Sequence, residues 1–270
     1  MESKKILVTG ANSYIGKKFI EYMSSFADYS VEAISVRDDS WKTQDWSSYD
    51  VVYDVAGIAH IKETEENRHL YYEVNRDLAV AIAKKAKDSG VGQFIYLSSM
   101  SVFGMVEGRI SMSTPTNPVN AYGKSKLEAE RQLMAIASSD FKVAIVRPPM
   151  VYGPDCKGNY QTLKKFALTF KAFPNVNNQR SMISIETMSK TVLGIINHPG
   201  TAVYHPQDAE YVRTYDMVKS IAKNAGLRFL TIRGFNWLVR LLTKHIKVFK
   251  KVFGNLTYDK EMNVPLKWLE

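Results

Sequence analysis

Cysteine is almost missing from this sequence: of 270 residues one is cysteine, Cys156. No internal disulfide can form, and a cysteine-rich metal site is excluded. That usage fits a reducing, cytoplasmic setting. The five histidines, His60, His69, His198, His205 and His245, are scattered without ligand spacing, so no metal is inferred. No apolar run approaches the roughly 18 residues that cross a bilayer. The opening stretch, MESKKILVTG, enters a strand pattern directly and has no signal-peptide anatomy. Internal repeats and low-complexity linkers are absent as well.

What is present is an ordinary globular composition, 45% hydrophobic and 23% charged. The length allows one large domain or two small ones. The formal net charge is +9. Such an excess serves a plain basic protein, a nucleic-acid or membrane surface, or a site for anionic ligands.

Lys4 to Thr9 is a short apolar run, read as a buried strand. Gly10-Ala11-Asn12-Ser13-Tyr14-Ile15-Gly16 follows, then a helical pattern from Lys17 to Met23. A strand, a glycine turn and a helix N-terminus form an anion site, with backbone N–H groups and the helix dipole aimed at a phosphate. Gly10 allows the tight turn and Gly16 the close helix packing, while Ser13 stands in the middle glycine position. Val31 to Val36 reads as a second strand, followed by Arg37, Asp38 and Asp39. An arginine there suits the 2′-phosphate of NADP. Either aspartate could serve a ribose instead, and all three could be solvated loop charges. Asp50 to Val55 is a third strand ending at Ala56-Gly57, where a backbone can approach a ligand. Asp45 could reach an adenine amino group or cap a turn.

Thr64 to Ser89 reads as one long helix closed by Gly90. Asn75 lies inside it, where asparagine is disfavoured; it is either exposed or turned to a cofactor. Gln93 to Leu97 is a fourth strand running into Ser98-Ser99-Met100-Ser101. Hydroxyls at the carboxyl end of such a strand lie where ligands bind in an open α/β sheet. Asn120 to Ser138 reads as a helix carrying Tyr122 and Lys126 one turn apart on one face. An ammonium beside a phenol favours the phenolate, so the pair is expected to lower the Tyr122 pKa toward working pH. Phe141 to Val146 is a fifth strand, closed by Arg147-Pro148-Pro149.

Alternating strands and helices imply a parallel, doubly wound sheet. Beyond Pro154 helices are expected over Asn159–Phe173, over Ser189–Ile196 and from an N-cap at Thr214. Short strands are expected at Ala202–Tyr204 and Arg228–Ile232. A last helix is expected over Phe235–Phe253. Its Arg240, Lys244, Lys247 and Lys251 share a face, with Leu238, Leu241, Leu242, Phe249 and Val252 largely elsewhere. That helix either packs on the domain with its basic face in water or attaches to anionic lipid. Base-stacking aromatics are not interleaved, so no nucleic acid is expected.

Four segments, in this order, resemble the extended short-chain dehydrogenase/reductase family of nucleotide-sugar epimerases, dehydratases and 4-keto reductases. They are Val8 to Gly16, Tyr96-Leu97-Ser98-Ser99 with Val102-Phe103-Gly104, Tyr122-Gly123-Lys124-Ser125-Lys126 with Glu128-Ala129-Glu130, and Arg147 to Pro154. The resemblance covers roughly the first 190 residues. It implies an α/β, Rossmann-type doubly wound parallel sheet with a small C-terminal substrate-binding lobe. Residues 1–160 would form the dinucleotide-binding core, with 183–205 returning to it, and 161–182 with 206–270 the lobe.

The resemblance also implies roles. Tyr122 would be the catalytic acid/base, Lys126 its partner and a ligand of the nicotinamide ribose, and Ser99 the hydroxyl on the reacting oxygen, with Ser101 close by. Gly10, Ser13, Tyr14, Ile15, Gly16, Arg37, Asp45, Ala56, Asn75 and Pro149 would line the cofactor. Asn159, within Lys157-Gly158-Asn159-Tyr160, and Arg180 would meet a nucleotide diphosphate. The implied activity is NAD(P)-dependent chemistry at C4 of a UDP-linked sugar, with NADP(H) preferred over NAD(H) on Arg37. Reduction of a UDP-4-keto-6-deoxy-N-acetylhexosamine in bacterial surface-polysaccharide synthesis is the leading expectation. The alternatives are a UDP-hexose 4-epimerase and a non-catalytic dinucleotide sensor or scaffold. A homodimer through the Tyr122 helix is implied too. The segment Gly254 to Asp259 resembles one that normally continues, so an abbreviated nucleotide side is expected.

Overall fold

The computed structural model describes residues 3–59, 61–156, 158–232, 234, 236–265 and 268. The first half alternates strand and helix: β1 (Lys4–Thr9), α1 (Tyr14–Met23), β2 (Tyr29–Ile34), β3 (Val51–Asp54), α2 (Arg68–Tyr72), α3 (Ala79–Asp88), β4 (Gln93–Leu97), β5 (Gly108–Ile110), α4 (Ala121–Ile136), β6 (Lys142–Val146) and β7 (Met150–Tyr152). The second half holds α5 (Asn159–Phe170), β8 (Ala172–Pro174), β9 (Met182–Ser184), α6 (Ile185–Asn197), β10 (Ala202–Tyr204), α7 (Thr214–Asn224), β11 (Leu230–Ile232), α8 (Asn236–His245), α9 (Lys247–Phe253) and β12 (Leu256–Tyr258).

Six strands pair in parallel in the order β10-β6-β4-β3-β1-β2. In the register of that sheet Val8 lies opposite both Ala33 and Tyr53. A central parallel strand is covered on both faces, which is why its residues read as unbroken apolar runs. Phe19 and Met23 of α1 join Met188, Val192 and Ile195 of α6 against Ile6, Val8, Tyr53 and Ile95. On the opposite face Ile82 and Ala83 of α3 join Ala129 and Leu133 of α4 against Leu7, Val52, Phe94 and Ile145. The two layers make the doubly wound, Rossmann-type sheet expected from the sequence. Strand order reverses between β1 and β3, so ligands are directed to the carboxyl ends there.

Several element boundaries differ from expectation. The second strand ends at Ile34 rather than Val36. The helix expected over 64–89 is shorter and broken: α2 and α3 flank a π-helical turn, Glu73–Leu78. The cause is tertiary, because Asn75 inside that turn is held by the chain at Ile58. The helix at 159 stops at Phe170, where Lys171 turns left-handed at φ 51° and leads into β8. Ser184 starts α6 four residues before the expected position, its hydroxyl accepting from the Thr187 N–H. Arg213, not Thr214, is the residue before α7. The last basic helix is two, because Ile246 leaves helical geometry between α8 and α9. Lys157, Phe235 and the side chains of Asn159, Leu238, Arg240, Lys244 and Lys247 lie outside the described residues.

Candidate active site

The glycine turn after β1 is a cradle. Gly10 takes φ 78°, and a Cβ on it would press within 3.0 Å of the Ala56 backbone nitrogen. Gly16 is buried, and a Cβ there would meet Val55 Cγ2 at 2.9 Å. Ser13 caps α1, its hydroxyl accepting from the Gly16 N–H at 3.4 Å. Its side chain is thus turned to the helix end. Tyr14 donates from its hydroxyl to the Pro154 carbonyl at 2.7 Å, and burial pushes its phenol up. Ile15 packs on the core beside β1. A bare backbone turn against Ala56, at the N-terminus of a ten-residue helix, fits the diphosphate of a dinucleotide.

Arg37 is exposed and its guanidinium has no ion pair among the described residues. Asp38 is committed differently: its carboxylate accepts from the Ser40 N–H at 3.0 Å, and the Ser40 hydroxyl and N–H hold its pKa below the usual range. Asp45 caps a turn, accepting from the Ser47 N–H at 2.9 Å, which lowers its pKa too. Of the two readings of Asp45, the structure has the turn cap.

The hydroxyl cluster follows β4. Ser99 caps a short turn, Met100–Phe103, its Oγ accepting from the Ser101 N–H at 3.1 Å and lying 3.1 Å from Ser101 Oγ. Pro148 fixes this loop by accepting from the Met100 N–H at 2.9 Å, beside buried Pro149. Helix α4 docks onto it through Gly123, where a Cβ would sit 2.7 Å from the Ser101 carbonyl. Only a residue without a side chain lets the turn bearing Tyr122 come that close. Asn120 caps the helix, accepting from the Gly123 N–H at 2.8 Å. Glu63 accepts from the Ala121 N–H at 2.9 Å, a support that sequence alone did not show. A carboxylate at a helix N-terminus is favoured by the dipole.

Tyr122 and Ser99 meet here. Burial pushes the Tyr122 phenol up, the Ser99 hydroxyl pulls it back down, and Tyr71, 6.3 Å away ring to ring, adds to the rise. This corrects the expected lowering by Lys126. The Lys126 ammonium is turned instead to the Leu97 carbonyl at 2.8 Å and over the Tyr96 ring at 4.5 Å. Only 4% of Lys126 is exposed, and burial brings its pKa down to about 8, against the opposing pull of Asp54 and then Glu130.

Asn75 is fully buried. Its side chain accepts from the Ile58 N–H at 2.9 Å and donates to the Ile58 carbonyl at 3.1 Å and to Ser125 Oγ at 3.3 Å. It therefore clamps the loop after Gly57 to the Tyr122 helix, and of its two readings the exposed one is overturned. π turns of this kind concentrate at functional sites. Arg180 is half-buried and donates to the Gly254 carbonyl at 2.9 Å, with burial lowering its pKa. A strand bridge joins it to Leu256, so it sits at the seam with the C-terminal segment. Gly10, Gly16, Ala56, Ser99, Tyr122 and Lys126 thus gather around the carboxyl ends of β1, β3 and β4. Arg37 and Asp45 lie on the exposed segment after β2, and the Asn159 side chain is outside the described residues.

The model of the NAD dependent epimerase/dehydratase family matches residues 6–175. A UDP-glucose 4-epimerase of Vibrio cholerae is 32% identical over 93% of this chain and 83% of its own length. Among solved structures, dTDP-4-dehydrorhamnose reductase of Bacillus anthracis with NADP superposes at a TM-score of 0.70, with 19% identity, over 87% of this chain and 86% of that one. UDP-glucuronic acid 4-epimerase of Bacillus cereus with NAD superposes at 0.72, with 21% identity, over 84% and 85%. Those two likenesses are of fold. The cradle, the serine cap and the Tyr122 helix fall inside the matched span, and the chain belongs to the NAD-dependent epimerase/dehydratase family, as an enzyme of the extended short-chain dehydrogenase/reductase type.

Proposed function

We propose that the protein transfers hydride at C4 of a UDP-linked sugar, reducing a UDP-4-keto-6-deoxy-N-acetylhexosamine with NADPH. The observation that carries the reading is the Ser99 hydroxyl held against the Tyr122 phenol by the Gly123 contact. A dinucleotide, when bound, would supply the hydride. Tyr122, kept protonated by burial, gives its proton to the oxygen forming at C4. Ser99 donates a hydrogen bond to that oxygen, with Ser101 behind it. The Lys126 ammonium, one helical turn on, holds the ribose side of the cofactor. Residues 161–182 and 206–270 form the lobe that receives the nucleotide, with Arg180 toward the diphosphate. Arg37, without an ion pair among the described residues, and the self-occupied Asp38 support NADPH over NADH.

The 32% identity to the Vibrio cholerae enzyme favours a second reading, a UDP-hexose 4-epimerase using NAD. The two separate cleanly in one assay. Loss of NADPH absorbance on adding the UDP-4-keto sugar supports the reductase. Interconversion of UDP-glucose and UDP-galactose or their N-acetyl forms, without net loss of NADPH, overturns it in favour of the epimerase.

Two partner readings accompany this one. Copies pair through α4, which light scattering of the purified chain tests. The lobe touches an anionic bilayer in a cytoplasmic setting. Residues 217–258 hold nine lysines and arginines and no acid, so the other residues are balanced at 27 basic to 27 acidic, from totals of 36 and 27. Leu230, Trp237, Leu241 and Ile246 stand exposed in the same stretch. Co-sedimentation with phosphatidylglycerol vesicles but not phosphatidylcholine vesicles is expected; no sedimentation with either contradicts it. No helix among the described residues is long and apolar enough to cross a membrane.

A further inference from the structure

Asp54, the last residue of β3, is fully buried yet has no part in the chemistry described so far. Its Oδ1 accepts from the Thr9 hydroxyl at the end of β1 and from the Ala56 N–H at 3.1 Å. Its Oδ2 is buried without a hydrogen-bond partner among the described residues. A lone carboxylate oxygen in an apolar interior is unfavourable by several kcal/mol, roughly, unless a positive charge stands nearby.

The nearby positive charge is Lys126. Its ammonium makes one hydrogen bond, to Leu97, and so has donors to spare. A Cβ on Gly57, three residues past Asp54, would lie 3.4 Å from Lys126 Nζ, which puts the ammonium over the chain that the Asp54 carboxylate holds. The groups facing Lys126 are few: Asp54 from β3, Tyr96 from β4, and Glu130 from its own helix. Glu130 is already taken. Both its oxygens accept from Arg147, at 3.0 and 2.6 Å, and Oε1 also accepts from the Ser98 hydroxyl. Asp54 is the acid with an oxygen left over.

We propose that Asp54 is a positioning residue whose carboxylate is the counter-charge that fixes the Lys126 ammonium one helical turn from Tyr122. The inference rests on the functional reading only for the importance of Lys126; the placement of the two charges is a property of the free protein. Asp54 raises the Lys126 pKa against burial; burial pushes the Asp54 pKa up, and the Thr9 hydroxyl and then Lys126 pull it back down. Without the carboxylate, the lysine loses its proton closer to neutrality.

The test needs neither sugar nor cofactor. Lys126 reactivity toward an amidinating reagent is followed from pH 6 to 10 by peptide mass spectrometry, in the full chain and in Asp54→Asn. The variant keeps the acceptor for Ala56 and drops the charge. The expected result is a titration displaced downward by about one unit, with labelling at pH 7 roughly fivefold faster. Asp54→Glu is expected to return the curve toward that of the parent chain. Should Asp54→Asn fail to fold, Asp54→Ser, which also removes the charge, is read in the same way. An unmoved titration in the folded variant overturns the proposal, even if activity has fallen. A displaced titration in a protein that turns over no UDP-sugar upholds it while overturning the substrate reading.

Discussion

The Arg147 guanidinium grips the Glu130 carboxylate with two prongs, Nη2 at 2.6 Å from Oε2 and Nε at 3.0 Å from Oε1, in a site where the glutamate side chain is 4% exposed. The pair ties α4 to the end of β6, and Ser98 adds the end of β4. Tyr258 continues the tie to the C-terminal strand by donating to the Arg147 carbonyl at 3.0 Å. The helix that carries Tyr122 is therefore anchored at its middle as well as at its capped start.

Removing one member of such a buried pair leaves the other charge without a partner. Glu130→Gln is expected to lower stability by about 3 to 5 kcal/mol. Urea unfolding at pH 7, followed by far-ultraviolet circular dichroism, measures it. A loss below about 1 kcal/mol, the worth of a surface pair, contradicts the burial argument.

Tyr122→Phe removes the proton donor and leaves the ring. Turnover is expected to fall by roughly a hundredfold to ten-thousandfold. Ser99→Ala, which removes one donor to the forming oxyanion, is expected to cost about a hundredfold. NADPH affinity, read by cofactor fluorescence, should change little in either. Equal losses in affinity and turnover would mean that these residues bind rather than catalyse.

Arg37→Ala is expected to weaken NADPH binding by about 1.5 to 3 kcal/mol, the worth of a charge-assisted contact to phosphate, and to leave NADH binding unaltered. Calorimetric titration with the two cofactors separates the outcomes. Equal affinity of parent and variant for NADPH removes Arg37 from the cofactor site.

His205 gives a pH dependence of stability. Burial, reinforced by Arg147 with its Nη1 3.5 Å from Nε2, lowers its pKa from 6.5 to about 4. The imidazole is neutral in the fold, and the unfolded chain binds the proton more readily. Its contribution is complete above about pH 6.5 and is lost as the pH falls toward 4, amounting to about 3 kcal/mol over that span. Urea midpoints at pH 7 and pH 5 measure the slope, and His205→Gln is expected to flatten it. An identical slope in the variant would assign the effect to other groups.

The parts of the site carried by short sequence patterns were legible before the structure. Gly10 and Gly16 flank a helix start, Ser99 follows an apolar strand, and Tyr122 and Lys126 share a helix face. Each is local and needs only a few residues of context. What escaped is long-range. The π turn at Asn75 comes from contacts with Ile58 and with Ser125, 50 residues on. Glu130 and Arg147 stand in two of the segments that carry the resemblance, but nothing local shows that they pair until α4 lies on the sheet. Strands β5 and β12 are three residues each and find one another across some 150 positions, with Gly108 opposite Leu256, too short to carry an alternation of their own. The Tyr122 pKa was misjudged because spacing places Lys126 on the same face without saying where its ammonium points.

The most direct test follows the hydrogen itself. NADPH deuterated at the transferring position is supplied with a UDP-4-keto-6-deoxy-N-acetylhexosamine, and the sugar product is analysed by mass spectrometry and proton NMR. The account predicts one deuterium, at C4, formed by the parent chain and almost none by Tyr122→Phe. A reduced product without deuterium at C4, or the same labelling rate in Tyr122→Phe, contradicts it.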